Sequence, residues 1–184
     1  ILEKLCQDKS KFVQKSVANN LNDISKDHPD QVIAFVKKWK GSGPNTDWIL
    51  KHGCRTMLKA GRKEALDLFG AKEVNVKSPT IDLDKNSITL GEYLKFKFSG
   101  SLAGELPEAL RLEYVIHFMK SSGKHSGKIF KISEIKPKNK EIAFSKKHRF
   151  IDYSTRKHHA GEHKLEIVVN GKVVAMAVFN LSGI

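Results

Sequence analysis

Between residues 13 and 26 the apolar side chains recur as Val13, Val17, Ala18, Leu21 and Ile24, the 3.6-residue period of a helix with one buried face. The opposite stripe reads Lys15, Asn19, Asn22, Asp23 and Lys26, at i, i+4, i+7, i+8 and i+11. A merely solvated face would be built of Lys and Glu, whereas Asn and Asp cost helix propensity, so this stripe calls for something to touch. A tolerated polar surface is the plain alternative. Ser10 can cap this helix, which runs to about Asp27, and Pro29 suits the first turn of a second, DQVIAFVKKW, stopped by Gly41. After the turn GSGPN, Asn45 or Thr46 caps a third helix through about Ala60, and RKEALDLFG forms a short fourth closed by Gly70. Two antiparallel helix pairs joined by tight turns are the layout of an α-solenoid such as HEAT repeats. The opening ILEKLCQ reads as the end of a helix already under way, so a processed product or a piece of a longer array is expected.

After about Lys72 the period changes to two. Strands are expected over 74–83, 87–99, 111–120, 128–136, 141–150, 163–170 and 172–181, separated by Gly, Pro, Ser and Asn clusters. Asn170-Gly171, between LEIVV and KVVAMAVF, predicts a type I′ hairpin. Seven short strands point to an immunoglobulin-like sandwich, although its Cys…Trp…Cys signature is absent. The expected fold is therefore α+β and multidomain: residues 1–71 as HEAT-like helical repeats, the end of an α-solenoid, and residues 72–184 as an all-β immunoglobulin-like sandwich.

Composition narrows the function class. The 184 residues are 40% hydrophobic and 29% charged, enough for a sizeable core, and no apolar run approaches a membrane span. Cys6 and Cys54 sit in helical patterns without metal spacing, which favours reduced, buried thiols. The net charge is +13, of which the residues up to Gly70 carry +5 and the remainder +8. Such an excess suits a polyanion, nucleic acid first and an anionic membrane surface second.

Three constellations could carry chemistry. Asp23 is the carboxylate in the middle of the polar stripe and could face a cationic centre or hold a water, or else be a surface Asp bonded to Lys26. On the third helix, Trp48, His52, Arg55 and Lys59 follow the same spacing, i, i+4, i+7 and i+11. The two cations can pair with consecutive backbone phosphates and Trp48 can pack on a sugar or base, while the default place for a Trp is the core. In the sandwich, residues 140–164 are dense in Lys, Arg and His. Lys146, Lys147 and Arg149 end a strand, and Arg156, Lys157, His158 and His159 occupy the next loop, placed to bracket a phosphate backbone or simply to stay solvated. KSSGKHSGK at 120–128 is a second basic loop. The histidines lack metal-ligand spacing, and no Gly-rich phosphate motif, nucleophile elbow or Cys/His dyad is present.

Four stretches, SVANNLNDISKDHPDQV, NTDWILKHGCRTMLKAGRKEALDLFG, YVIHFMKSSGKHSGKIFKISEI and SKKHRFIDYSTRKHHAGEHKLEIVVNGK, together resemble the DNA alkylation repair glycosylases built from HEAT-like repeats, specifically the AlkC branch. Helical repeats followed by an immunoglobulin-like domain set that branch apart from AlkD, and the enzymes of the branch carry further repeats ahead of this point. The resemblance implies hydrolysis of the N-glycosidic bond of cationic N-alkylated bases such as 3-methyladenine in double-stranded DNA. It implies no cofactor and no metal, a monomer, and a place in the bacterial cytosol, where its substrate lies in the nucleoid. Asp23 becomes the expected catalytic carboxylate. Lys15, Asn19, Asn22, Lys26, Trp48, His52, Arg55, Lys59, Lys146, Lys147, Arg149, Arg156 and Lys157 become the expected DNA contacts. A non-catalytic DNA-binding or scaffold fragment is the alternative.

Overall fold

A computed structural model describes residues 1–154 and 157–183. The chain divides into two compact units, Ile1–Glu73 and Val74–Ile184. The first holds six helices: α1 (Leu2–Leu5), α2 (Lys11–Asp27), α3 (Pro29–Trp39), α4 (Pro44–Gly53), α5 (Arg55–Lys59) and α6 (Lys63–Leu68). Helix α2 is its hub, packing most closely on α4 and also on α3 and α5. The buried face of α2 is Gln14, Val17, Ala18, Leu21, Asn22 and Ser25, rotated from the expected apolar stripe, so that Val13 and Ile24 are only half-buried. The polar members of this face are satisfied locally. Gln14 donates from Nε2 to the Asp8 carbonyl (3.0 Å), and Ser25 donates from Oγ to the Asn22 carbonyl (2.7 Å).

The expected third helix is interrupted. It breaks at Cys54 because Gly53 is both a poor helix former and the residue at which α4 meets α2. A Cβ on Gly53 would lie 2.9 Å from Leu21 Cβ, so only hydrogen fits. Pro44 and Pro29 open their helices, where a missing N–H costs nothing. Both cysteines are free and buried, and burial pushes the Cys54 thiol up to about 12. Six helices of unequal length do not of themselves display a repeat, and the opening helix is a single turn.

The second unit pairs two sheets. One has three strands in the order β1 (Asn75–Leu83), β3 (Tyr93–Ala103), β6 (Glu141–Arg149); the other has five, β2 (Ser87–Thr89), β8 (Lys172–Ser182), β7 (Gly161–Val169), β4 (Leu110–Met119), β5 (His125–Ile135). The expected strand 87–99 is really two strands. Ile88 pairs in parallel with Leu181 in the five-stranded sheet, the chain turns at Leu90–Glu92 with Gly91 at φ +98°, and β3 then joins the other sheet. Alternation decides the core. Leu94, Phe96 and Phe98 of β3 face Leu112, Tyr114, Ile116, Leu165, Ile167, Phe179 and Leu181, while Lys95 and Lys97 face solvent. Asn170 (φ +47°) and Gly171 (φ +81°) form the hairpin turn between Val169 and Lys172 with the positive angles that type I′ requires.

One end of this core is aromatic and imidazole-rich. His163 is fully buried, stacked on Phe179 at 5.4 Å and edge-on to Phe150 at 5.6 Å. Its Nδ1–H donates to the Gly161 carbonyl (3.0 Å), and its Nε2 is buried with no partner. Burial therefore pulls the His163 pKa below its ordinary value of 6.5.

Two outcomes follow from this packing. Gly53→Ala should destabilise the helical unit by about 1–3 kcal/mol in chemical denaturation, since the methyl group must displace Leu21. The unfolded chain takes up a proton at His163 before the folded one does, so that contribution is complete above about pH 6.5 and is lost as pH falls below it. The melting temperature should accordingly drop between pH 7.5 and 5, and His163→Leu should flatten that drop; an unchanged pH profile in the variant would remove His163 from the account.

Candidate nucleic-acid interface

The outward face of α2 presents Lys15, Asn19, Asp23 and Lys26, all exposed. Asn22, expected in the same stripe, is not on it. It is 4% exposed, and its Oδ1 accepts the backbone N–H of Thr56 at 3.2 Å, tying α2 to α5. The physical reason is angular: positions 22 and 23 point about 100° apart, and the packing of α4 and α5 claims the first of them. Asn22 is therefore a buried structural acceptor and is removed from the contact set.

Helix α4 brings the second group alongside. Trp48 is 41% exposed, which corrects the default core placement, and its ring stacks on His52 with centroids 4.9 Å apart and planes 10° from parallel. Arg55, at the head of α5, donates from Nη1 to the His52 carbonyl at 3.0 Å. Lys59 is exposed one turn further on. The electrostatics show that the two helices share a face. Burial lowers the His52 pKa, and the charges of Arg55 and Lys15 lower it further, so the stacked imidazole is neutral near pH 7. Asp23 bonds Lys26 Nζ at 2.8 Å, and that ammonium holds its carboxyl below the usual value, with Arg55 adding to the effect. The result is an exposed carboxylate, anionic at neutral pH, within electrostatic reach of Lys26 and Arg55, while Lys15 and Arg55 act on the imidazole that stacks on Trp48.

The basic stretch of the sandwich is divided by strand alternation. Lys147 and Arg149 lie on the solvent face of β6, Arg149 directly opposite Tyr93 of β3, their charged groups 5.0 Å and 5.6 Å from its ring centroid. Lys146 occupies an alternate position, in register with Phe96, and stays exposed on the edge strand. Lys157 is exposed in the loop after Phe150; Arg156 lies outside the described residues. Tyr93 escaped sequence reasoning, although the alternation in YLKFKF marks it as outward-facing. No group of three or more His, Cys, Asp or Glu converges as a metal site among the described residues.

Residues 1–69 match the family model described as DNA alkylation repair enzyme. Residues 77–183, more than half of the chain, match the model of the C-terminal Ig-like domain of the uncharacterised protein YhaZ. The chain belongs to the YhaZ family. It is 43% identical over 175 residues to the uncharacterised protein YhaZ of Bacillus subtilis (strain 168), covering 94% of this chain and 48% of YhaZ. It superposes on Pseudomonas fluorescens alkylpurine DNA glycosylase AlkC, bound to DNA containing an abasic site analog, with a TM-score of 0.90 and 33% identity. That match covers 99% of this chain and 51% of AlkC, so the chain spans about half the length of these relatives. The AlkC-type kinship rests on both units together, the helical one and the Ig-like one.

The revised place of Asn22 has a measurable consequence. Asn22→Ala should cost about 1–3 kcal/mol of stability by stranding the Thr56 N–H, while Asn19→Ala on the exposed face should cost almost nothing. Equal denaturation midpoints for the two variants would return Asn22 to the surface.

Proposed function

We propose that this chain is part of an alkylpurine DNA glycosylase of the AlkC type, acting on cationic N-alkylated bases such as 3-methyladenine in the DNA of the bacterial cytosol. On this reading its helical unit is a stretch of HEAT-like solenoid. The observation that carries the reading is the exposed anionic Asp23 within reach of Lys26 and Arg55, in a chain so similar to AlkC.

The chemistry asks little more than that. A cationic base is already a good leaving group: as the C1′–N bond breaks, its electron pair neutralises the base and positive charge develops on the sugar. A carboxylate near that charge stabilises the transition state more than the ground state. Water then bonds to C1′ through its oxygen and gives up a proton, for which Asp23 is the acceptor. Lys15, Lys26, Arg55 and Lys59 suit the backbone phosphates, and the Trp48–His52 stack offers a flat apolar surface to a sugar or base. In the sandwich, Lys147 and Arg149, with Lys146 and Lys157, supply further phosphate contacts.

The rival reading is a non-catalytic DNA-binding or scaffold fragment, and the Asp23–Lys26 ion pair favours it, because a surface carboxylate neutralised by its neighbour needs no reaction to explain it. Release of methylated base from alkylated duplex by the full-length protein separates the two. Asp23→Asn should lower excision by about two orders of magnitude or more with the fold intact, whereas Arg55→Ala and Lys59→Ala should weaken binding and flatten its salt dependence by about one unit each. A full-length protein that binds DNA but releases no base would leave the scaffold.

A further inference from the structure

Two basic loops some thirty residues apart in sequence meet at one end of the sandwich. Lys120, Ser121, Ser126 and Lys128 of the β4–β5 hairpin line a hollow of about 540 Å³ together with Lys157 and His159 of the loop before β7. No carboxylate lines it among the described residues, and none of its three lysines is in an ion pair there.

Both loops are tied down. Asp152 Oδ1 accepts the backbone N–H and the Nδ1–H of His158, each at 2.9 Å, and His158 is 3% exposed. Lys157 and His159 therefore flank an anchored residue, and the nearby Asp152 carboxylate is already engaged by His158. The hairpin tip closes through Lys120 N–H to the Lys124 carbonyl (2.9 Å) and Gly123 N–H to the Lys120 carbonyl (3.0 Å), with Gly123 at φ +75°. His125 Nε2 donates to the Glu162 carbonyl at 2.8 Å, fastening the hairpin to β7, and the Lys128 ammonium rests 5.6 Å from the Phe130 ring centroid. Three lysines, two serines and a histidine thus line one space, and the nearest carboxylate with which they are seen to interact is Asp152, which bonds His158 and acts electrostatically on Lys157. A tetrahedral anion relieves the repulsion among the lysines and offers acceptors to these donors, at small cost in backbone entropy because the 120–128 hairpin and His158 are already anchored.

We propose that this pocket binds a phosphate group of the nucleic-acid backbone. The pocket itself stands on the geometry; its assignment to nucleic acid rests on the DNA reading above.

The test titrates the whole chain with pyrophosphate and follows backbone amide resonances. Shifts are expected at residues 120–128 and 157–161, and Lys120→Gln, Lys128→Gln and Lys157→Gln together should weaken the binding at least about tenfold. The same three changes at Lys136, Lys138 and Lys140, on the loop that follows β5, serve as the charge control. Shifts spread over the surface, or equal losses in both triple variants, would overturn the pocket. A short DNA duplex should then displace pyrophosphate, and the pocket variant should lower the salt slope of duplex binding by about 2–3 units. A duplex that binds without displacing pyrophosphate would overturn the backbone assignment in favour of a free phosphorylated ligand. Pyrophosphate binding with no DNA binding at all would reject the glycosylase reading and leave the pocket standing.

Discussion

The approach of Gly53 to Leu21 sets the arrangement of the helical unit. With no side chain at Gly53, α4 lies directly on α2, and the same glycine ends α4 so that Arg55 opens a new helix beside Asn22. Trp48 and His52 then fall on the side of α4 next to Lys15, and Arg55 comes within electrostatic reach of Asp23. A bulkier residue would move α4 outward and separate the two halves of the polar face.

The polar face shows why Asn and Asp recur on α2 in place of the better helix formers. Asn22 is spent inside, as acceptor for a backbone N–H that no helix supplies with a partner, because α5 begins there. Asp23, one residue on, points outward and is held anionic by Lys26. Two adjacent polar residues thus meet different surroundings, one a buried backbone donor and one solvent and a lysine, separated only by the helical turn.

In the sandwich the corresponding constraint is strand alternation. It divides Lys146 from Lys147 and Arg149 and collects the latter two around Tyr93. It also sends His148 inward, where Nδ1 lies 3.0 Å from the Tyr114 hydroxyl, so a run that is uniformly basic in sequence becomes a surface and a core in space. The imidazoles of His148, His158 and His163 pack with Phe118 and Phe150, and burial of His163 makes this end of the core sensitive to protonation in a way an all-phenylalanine core would not be.

The sequence by itself determined the elements whose signal is local. The change of period from 3.6 to 2 near Lys72, the proline that opens α3 and the Asn170-Gly171 turn each follow from backbone preferences within a few residues, whereas α4 starts at Pro44 with Gly43 as its cap, ahead of the expected Asn45 or Thr46. What it left undecided depends on neighbours far along the chain. Whether position 22 or 23 faces inward depends on the angle at which α4 and α5 settle on α2, a matter of ridges, grooves and one glycine, and the exposure of Trp48 depends on the same contact. The division of residues 87–99 between two sheets required β8, more than eighty residues away, to offer Leu181 to Ile88. The meeting of the 120–128 and 157–159 loops likewise had no local signature, because the hydrogen bond from His125 to the Glu162 carbonyl joins segments 37 residues apart, with β5 and β6 between them.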